Sequence, residues 1–249
     1  MCKTSRHSVS HLGSHYDQLA TRVLVYTPKP VEIRALPSAF NQPGNRSHQA
    51  WFEDMLNFNW NASKRATSRL VNGAIDETQW ADAFFDAILQ ANANAHWIGR
   101  DQVSTALFTE FGTEDILAGQ SIADVDADYL QGFIDDILDG RYDDEFGELR
   151  EDLILQRQRL YMGKARGIAG QAAVDNLPIE TEITWVLGAV EIHCQDCPAL
   201  AGMSPFFPDD LFTTPGACST PCLGNCKCHL EFEVNGEKVS SIKPVTLEV

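Results

Sequence analysis

The chain has 249 residues, 44 % of them hydrophobic, with a formal net charge of −16. That apolar content supports a real core and excludes general disorder, and the length fits one large domain or two small ones. The negative charge opposes non-specific binding to DNA or RNA, which needs Lys and Arg to displace counterions, and suits docking on a basic partner surface.

The N-terminal stretch from Met1 to His11 lacks the apolar segment of a secretory signal. No run of about 18 apolar residues exists to span a membrane. The expectation is a protein made in a reducing cytosol, where a cysteine cluster is more often a zinc site than a disulfide framework. Residues 1–20 are polar, with His7, His11 and His15 at four-residue spacing, and read as a mobile tail. Residues 21–45 carry Pro28, Pro30, Pro37 and Pro43, which forbid a long helix. They read as an extended arm lying on this molecule or on a neighbour.

From Ser47 to about Val174 the hydrophobic period is helical. Trp51, Phe52, Met55, Leu56 and Phe58 form a bulky cluster. Asp76 and Gln79 have the spacing of a capping box ahead of the stripe Trp80, Phe84, Ile88 and Leu89. Leu130, Phe133, Ile134, Ile137 and Leu138 make a second stripe, which Gly140 ends. A last long helix is expected from about Glu145 into the Gly- and Ala-rich stretch 163–173. Between Glu110 and Asp152 there are fifteen acidic residues and two basic ones. Asp124, Asp126 and Asp128 do not make a calcium loop, because Tyr129 replaces the needed glycine and Asp135 the final glutamate. The run reads as a solvated acidic face.

After Pro178 the pattern turns to strands. Ile183–Ile192 reads as a buried strand, and His229–Val234 alternates with Leu230, Phe232 and Val234 on one face. Asn235-Gly236 is a two-residue hairpin turn, and Val239–Val249 supplies the returning strand. The expected fold class is therefore α+β. An extended arm (1–45) precedes a mainly helical body (46–176) and a small antiparallel sheet (177–249) with a cysteine-rich insertion.

Six of the seven cysteines lie in that insertion: Cys194, Cys197, Cys218, Cys222, Cys226 and Cys228. Such thiols hold a metal or form disulfides, and either link clips a segment too small for its own core. Cys194-x-x-Cys197 is a knuckle that can put two thiolates on one metal, and His193 and His229 stand beside the cluster. On a regular strand Cys226 and Cys228 would point the same way, roughly 7 Å apart, too far for one zinc unless the backbone tightens. A thioredoxin-type redox site needs its first cysteine at a helix N-terminus within a β/α domain, and the context here is different. Apart from Lys227, Glu191–Val234 holds no Lys or Arg, which weakens a zinc-ribbon nucleic-acid reading. No Gly-x-Ser-x-Gly elbow or phosphate-binding glycine loop is present.

Taken in order, Trp185-Val-Leu-Gly-Ala, Cys194-Gln-Asp-Cys197-Pro-Ala-Leu-Ala-Gly, Thr214-Pro-Gly216 and Cys222-Leu-Gly-Asn-Cys226-Lys-Cys228 follow a recognisable pattern. It resembles the C-terminal region of tailed-bacteriophage head morphogenesis (minor head) proteins, the Mu F-like group. The upstream helical stretch with its Trp80 stripe looks like theirs in pattern. Two departures stand out: Cys222 occupies a place where many members have histidine, and Cys218 is additional. The resemblance implies a non-enzymatic, multi-copy virion protein, made in the host cytoplasm and placed at the capsid or portal vertex. Its partners would be capsid, portal or connector proteins, with no membrane and no sequence-specific nucleic acid. The candidate metal ligands are Cys194, Cys197, Cys222, Cys226 and Cys228, with zinc as the expected structural ion and disulfides as the alternative. The alternative functions are a cellular zinc-ribbon-like binding protein and a thiol redox enzyme.

Overall fold

The computed structural model describes residues 33, 47–104, 109–190, 192–217, 221, 225–234 and 236–249. Within them lie six α-helices and one three-stranded antiparallel sheet, an α+β fold. The tail with His7, His11 and His15 lies outside the described residues, as do the proline-rich arm apart from Ile33 and the thiols Cys218 and Cys222.

Helix α1 (His48–Val71) starts at Ser47, whose side chain accepts from the Ala50 N–H. Helix α2 (Glu77–Val103) starts at Asp76, and the capping box with Gln79 forms in both directions. These caps satisfy backbone donors that a helix start leaves without partners. Helix α3 (Thr113–Leu138) stops just before Gly140, which takes φ +73°. Helix α2 is the centre of the body and packs against α1, α3 and the later helix α5 (Ala165–Asp175). Its approach to α5 needs Gly99, where a Cβ would stand 2.0 Å from the Ala169 carbonyl oxygen.

The apolar stripes meet in one aromatic core. Trp80 meets Phe133 edge-on at 5.1 Å, Phe84 meets Tyr161 at 5.6 Å, and Trp51 stacks on Trp97 at 5.8 Å. Thr67 accepts from the Trp80 indole and donates to Gln158, which links three helices, while the Gln158 amide nitrogen and the Ser63 hydroxyl are buried without a hydrogen-bond partner among the described residues. Phe58 and Leu138, expected in the stripes, are 50 % and 43 % exposed. Each sits at the edge of its apolar arc, on the solvent side.

The expected last helix divides. Residues 143–149 form a turn in which the Asp144 carboxylate accepts from the Phe146 and Glu148 N–H groups and Gly147 takes φ +81°. Helix α4 therefore begins later than expected and spans Glu151–Gly163. A break at Lys164 separates it from α5. The acidic run is not wholly a solvated face. Asp115 is buried at the start of α3, where it bonds His96, Arg100 and the Gly112 N–H. Asp126 is buried against Lys164.

Strand β1 (Ile183–Val186) is shorter than expected. It pairs with β2 (His229–Val234) in the register Trp185–Leu230, and β2 pairs with β3 (Glu237–Ser240). Val234 faces Glu237 across a two-residue connection, in which Gly236 takes φ +81°. The returning strand ends at Ser240. Residues 241–249 instead run back over α1, where the Trp60 indole donates to the Glu248 carbonyl and Gln49 bonds Lys243. Ile242 and Leu247 belong to the helical core, as does Ile33. A second core lies under the sheet, and it takes Val103 from α2 and Ala173 and Val174 from α5.

Candidate metal centre

Three features bring the cysteines together. After β1 the chain passes so close to the later segment that a Cβ at Gly188 would lie 2.2 Å from the Lys227 carbonyl oxygen. Only glycine has room there. The chain then turns into a short helix, α6 (Asp196–Met203), whose first turn carries Cys197. Last, Cys226, Lys227 and Cys228 come immediately before β2, in backbone that is not a regular strand.

The Cys197, Cys226 and Cys228 sulfurs all lie within 4.8 Å of one another, and all three residues are buried. The Cys197 and Cys226 sulfurs are 3.7 Å apart. The backbone at Cys226–Cys228 is not a regular strand, the condition under which both thiols can serve one metal, and the two sulfurs lie within 4.8 Å of each other. Cys194 is half-buried, with its sulfur 3.2 Å from that of Cys197. No disulfide joins Cys194, Cys197, Cys226 and Cys228 to one another. Three buried soft donors at one point can hold a metal ion.

The centre is fastened to the helical body by a residue that the cysteine pattern does not reveal. Arg166, on α5 and 4 % exposed, donates to the Cys226 carbonyl at 2.5 Å and to the Cys228 carbonyl at 2.6 Å. One planar guanidinium thus holds both ends of the Cys-x-Cys segment. Its positive charge also offsets the negative charge that thiolate ligands bring. A signal was available, since an arginine stands inside the small-residue stretch Ala165-Arg-Gly-Ile-Ala-Gly170. The small residues have their own role here. A Cβ at Gly167 would lie 2.4 Å from the Ala217 nitrogen, and the Thr214 hydroxyl donates to the Gly167 carbonyl at 3.0 Å. Gly216, with φ +90°, turns the loop against α5.

Of the five expected ligands, the structure gathers Cys197, Cys226 and Cys228, and sets Cys194 beside Cys197. Cys222 lies outside the described residues. His229 faces Glu231 instead of the sulfur cluster, and burial holds its imidazole below the ordinary pKa. The helix at Cys197 was not expected. It follows a strand, but it carries the second cysteine of the pair, and the adjoining sheet is antiparallel.

No helix among the described residues is long and apolar enough to cross a membrane. No protein-family model, curated protein or solved structure matches the chain.

Proposed function

We propose that this chain is a structural protein of a tailed-phage particle, a minor head protein of the Mu F-like kind, whose C-terminal module is held by one zinc ion. The observation that carries the metal half is the buried thiol cluster clamped by Arg166. Two thiolates about 2.3 Å from one tetrahedral zinc stand about 3.8 Å apart. The 3.7 Å between the Cys197 and Cys226 sulfurs agrees with that spacing. Cys194 is the nearest candidate for a fourth donor, with Cys222 its competitor. A site this buried suits a structural ion, since a catalytic zinc keeps one position open to substrate.

The virion half rests on the ordered Trp–Cys-x-x-Cys–Pro-Gly–Asn-Cys-Lys-Cys window and its resemblance to the minor head group. In this reading the helical body and the proline-rich arm contact capsid, portal or connector proteins in many copies. The acidic surface favours basic faces on those partners. The test is peptide mass spectrometry of gradient-purified particles from the source that encodes this chain, with elemental analysis of the isolated protein. Several copies per particle and one zinc per chain are expected. Presence in the lysate but absence from particles overturns the virion reading. A metal-free, fully folded protein overturns the zinc reading.

A further inference from the structure

A cavity of about 170 Å³ lies between α1, the α4–α5 break, the Cys-x-Cys segment and the returning C-terminal stretch. Its walls gather Arg159, Arg166 and Lys227. The whole chain has 19 Lys and Arg against 35 Asp and Glu, yet no carboxylate side chain lines this cavity among the described residues. In a protein of net charge −16, a wall that holds Arg159, Arg166 and Lys227 and no carboxylate favours an anion, although Arg166 also faces the neighbouring thiol cluster.

The arginines are not equivalent. Arg166 already spends both terminal nitrogens on the Cys226 and Cys228 carbonyls, so it contributes mainly charge. Among the described residues Arg159 forms no ion pair, and its Nε is shut off from solvent without a hydrogen-bond partner. A buried donor in that state is costly, and an incoming acceptor removes the cost. Water can occupy a cavity of this size and satisfy one N–H, but it carries no charge to set against Arg159 and Lys227. Asn225 adds an amide to the polar wall, while Phe52 and Leu247 make the opposite side apolar.

We propose that this cavity binds a phosphate group carried on a small apolar body. The Arg159 fork takes the oxyanion, Arg166 and Lys227 supply field, and the apolar wall holds the ester substituent. The inference is independent of the virion reading and does not need it.

The experiment titrates the full chain with inorganic phosphate and with phenyl phosphate, by calorimetry and by amide chemical shifts. Both bind at millimolar concentrations, and phenyl phosphate binds more tightly because it reaches the apolar wall. If inorganic phosphate binds equally well, the ligand is the free anion and the proposed apolar body is wrong. Arg159→Ala weakens phenyl phosphate about 10- to 100-fold, the usual worth of a charge-assisted hydrogen bond, and Arg159→Lys weakens it less. Arg65→Ala, at an exposed arginine on α1 away from the cavity, leaves binding unchanged. No binding of either probe by the wild type, or equal losses in the two alanine variants, overturns the proposal. Should Arg159→Ala not fold, the wild-type shift map decides. Shifts centred on Arg159, Lys227 and Phe52 support the site, and shifts elsewhere overturn it.

Discussion

Arg166 tests how a single side chain can hold a cysteine-rich module to a helical body. Replacing it with alanine strands two buried carbonyls, each at a cost of about 1–3 kcal/mol. R166A should therefore speed amide exchange across residues 183–234 while α1–α3 stay protected. R166K should recover little, because an ammonium lacks the planar fork that reaches both acceptors. Exchange rates equal to wild type in both variants would remove the clamp from the account. Asp115 makes a second prediction at this scale. Burial pushes its carboxyl up, but bonds from His96, Arg100 and the Gly112 N–H outweigh this and hold the pKa below the ordinary 3.8. A carboxyl held low in the fold adds stability above its unfolded pKa and loses it as pH falls through the folded value. Urea unfolding of D115N should show a flatter loss below pH 3.8 and lower stability at neutral pH. An acid limb identical to wild type would contradict the assignment. Neither residue's contacts were legible in the sequence, although the arginine among small residues at 165–170 marked Arg166 as unusual. Cysteine spacing announces itself locally, but Arg166 meets Cys226 across 60 positions, and only the fold brings them together.

Among the helices and strands, local pattern was a good guide wherever an element makes its own boundaries. The Asp76 capping box and the stop at Gly140 depend on a few neighbouring residues, and both form as read. The errors arise where a tertiary contact or a side-chain turn decides. The Asp144 carboxylate takes over two backbone donors and delays α4 to Glu151. Beyond Val186, Gly188 must meet Lys227, and the strand ends. Helix α6, with proline and glycine among its eight residues, carries no helical periodicity to read. The glycines give a paired test. At Gly132, inside α3, an added Cβ meets nothing within 4 Å. G132A should stabilise by up to about 1 kcal/mol through helix propensity. G167A drives a methyl to 2.4 Å from the Ala217 nitrogen and should destabilise by about 1–3 kcal/mol. Thermal melts of the two variants should move in opposite directions. A shared direction would mean that the α5–loop contact relaxes freely.

On the scale of the whole molecule, two cores share helices, and the module under the sheet packs on a body that has its own larger aromatic core. If the thiol centre holds zinc, a chelator should remove protection over residues 183–234 and leave the helical far-ultraviolet signal nearly intact. Loss of the entire helical signal would show instead that the two cores unfold as one cooperative unit. The returning stretch 241–249 has a further consequence, for the order in which the molecule is made. Lys243 reaches back 194 positions to Gln49, and Glu248 reaches back 188 positions to Trp60. Contacts this distant along the chain close late, since the long loop between them must be ordered first. During synthesis α1 and α2 leave the ribosome with one flank of Trp60 uncovered. That flank stays open until the chain has grown 188 positions past Trp60, to Glu248. Nascent chains arrested before residue 241 should bind a hydrophobic dye and be cut by protease within α1, and chains extended past Glu248 should resist both.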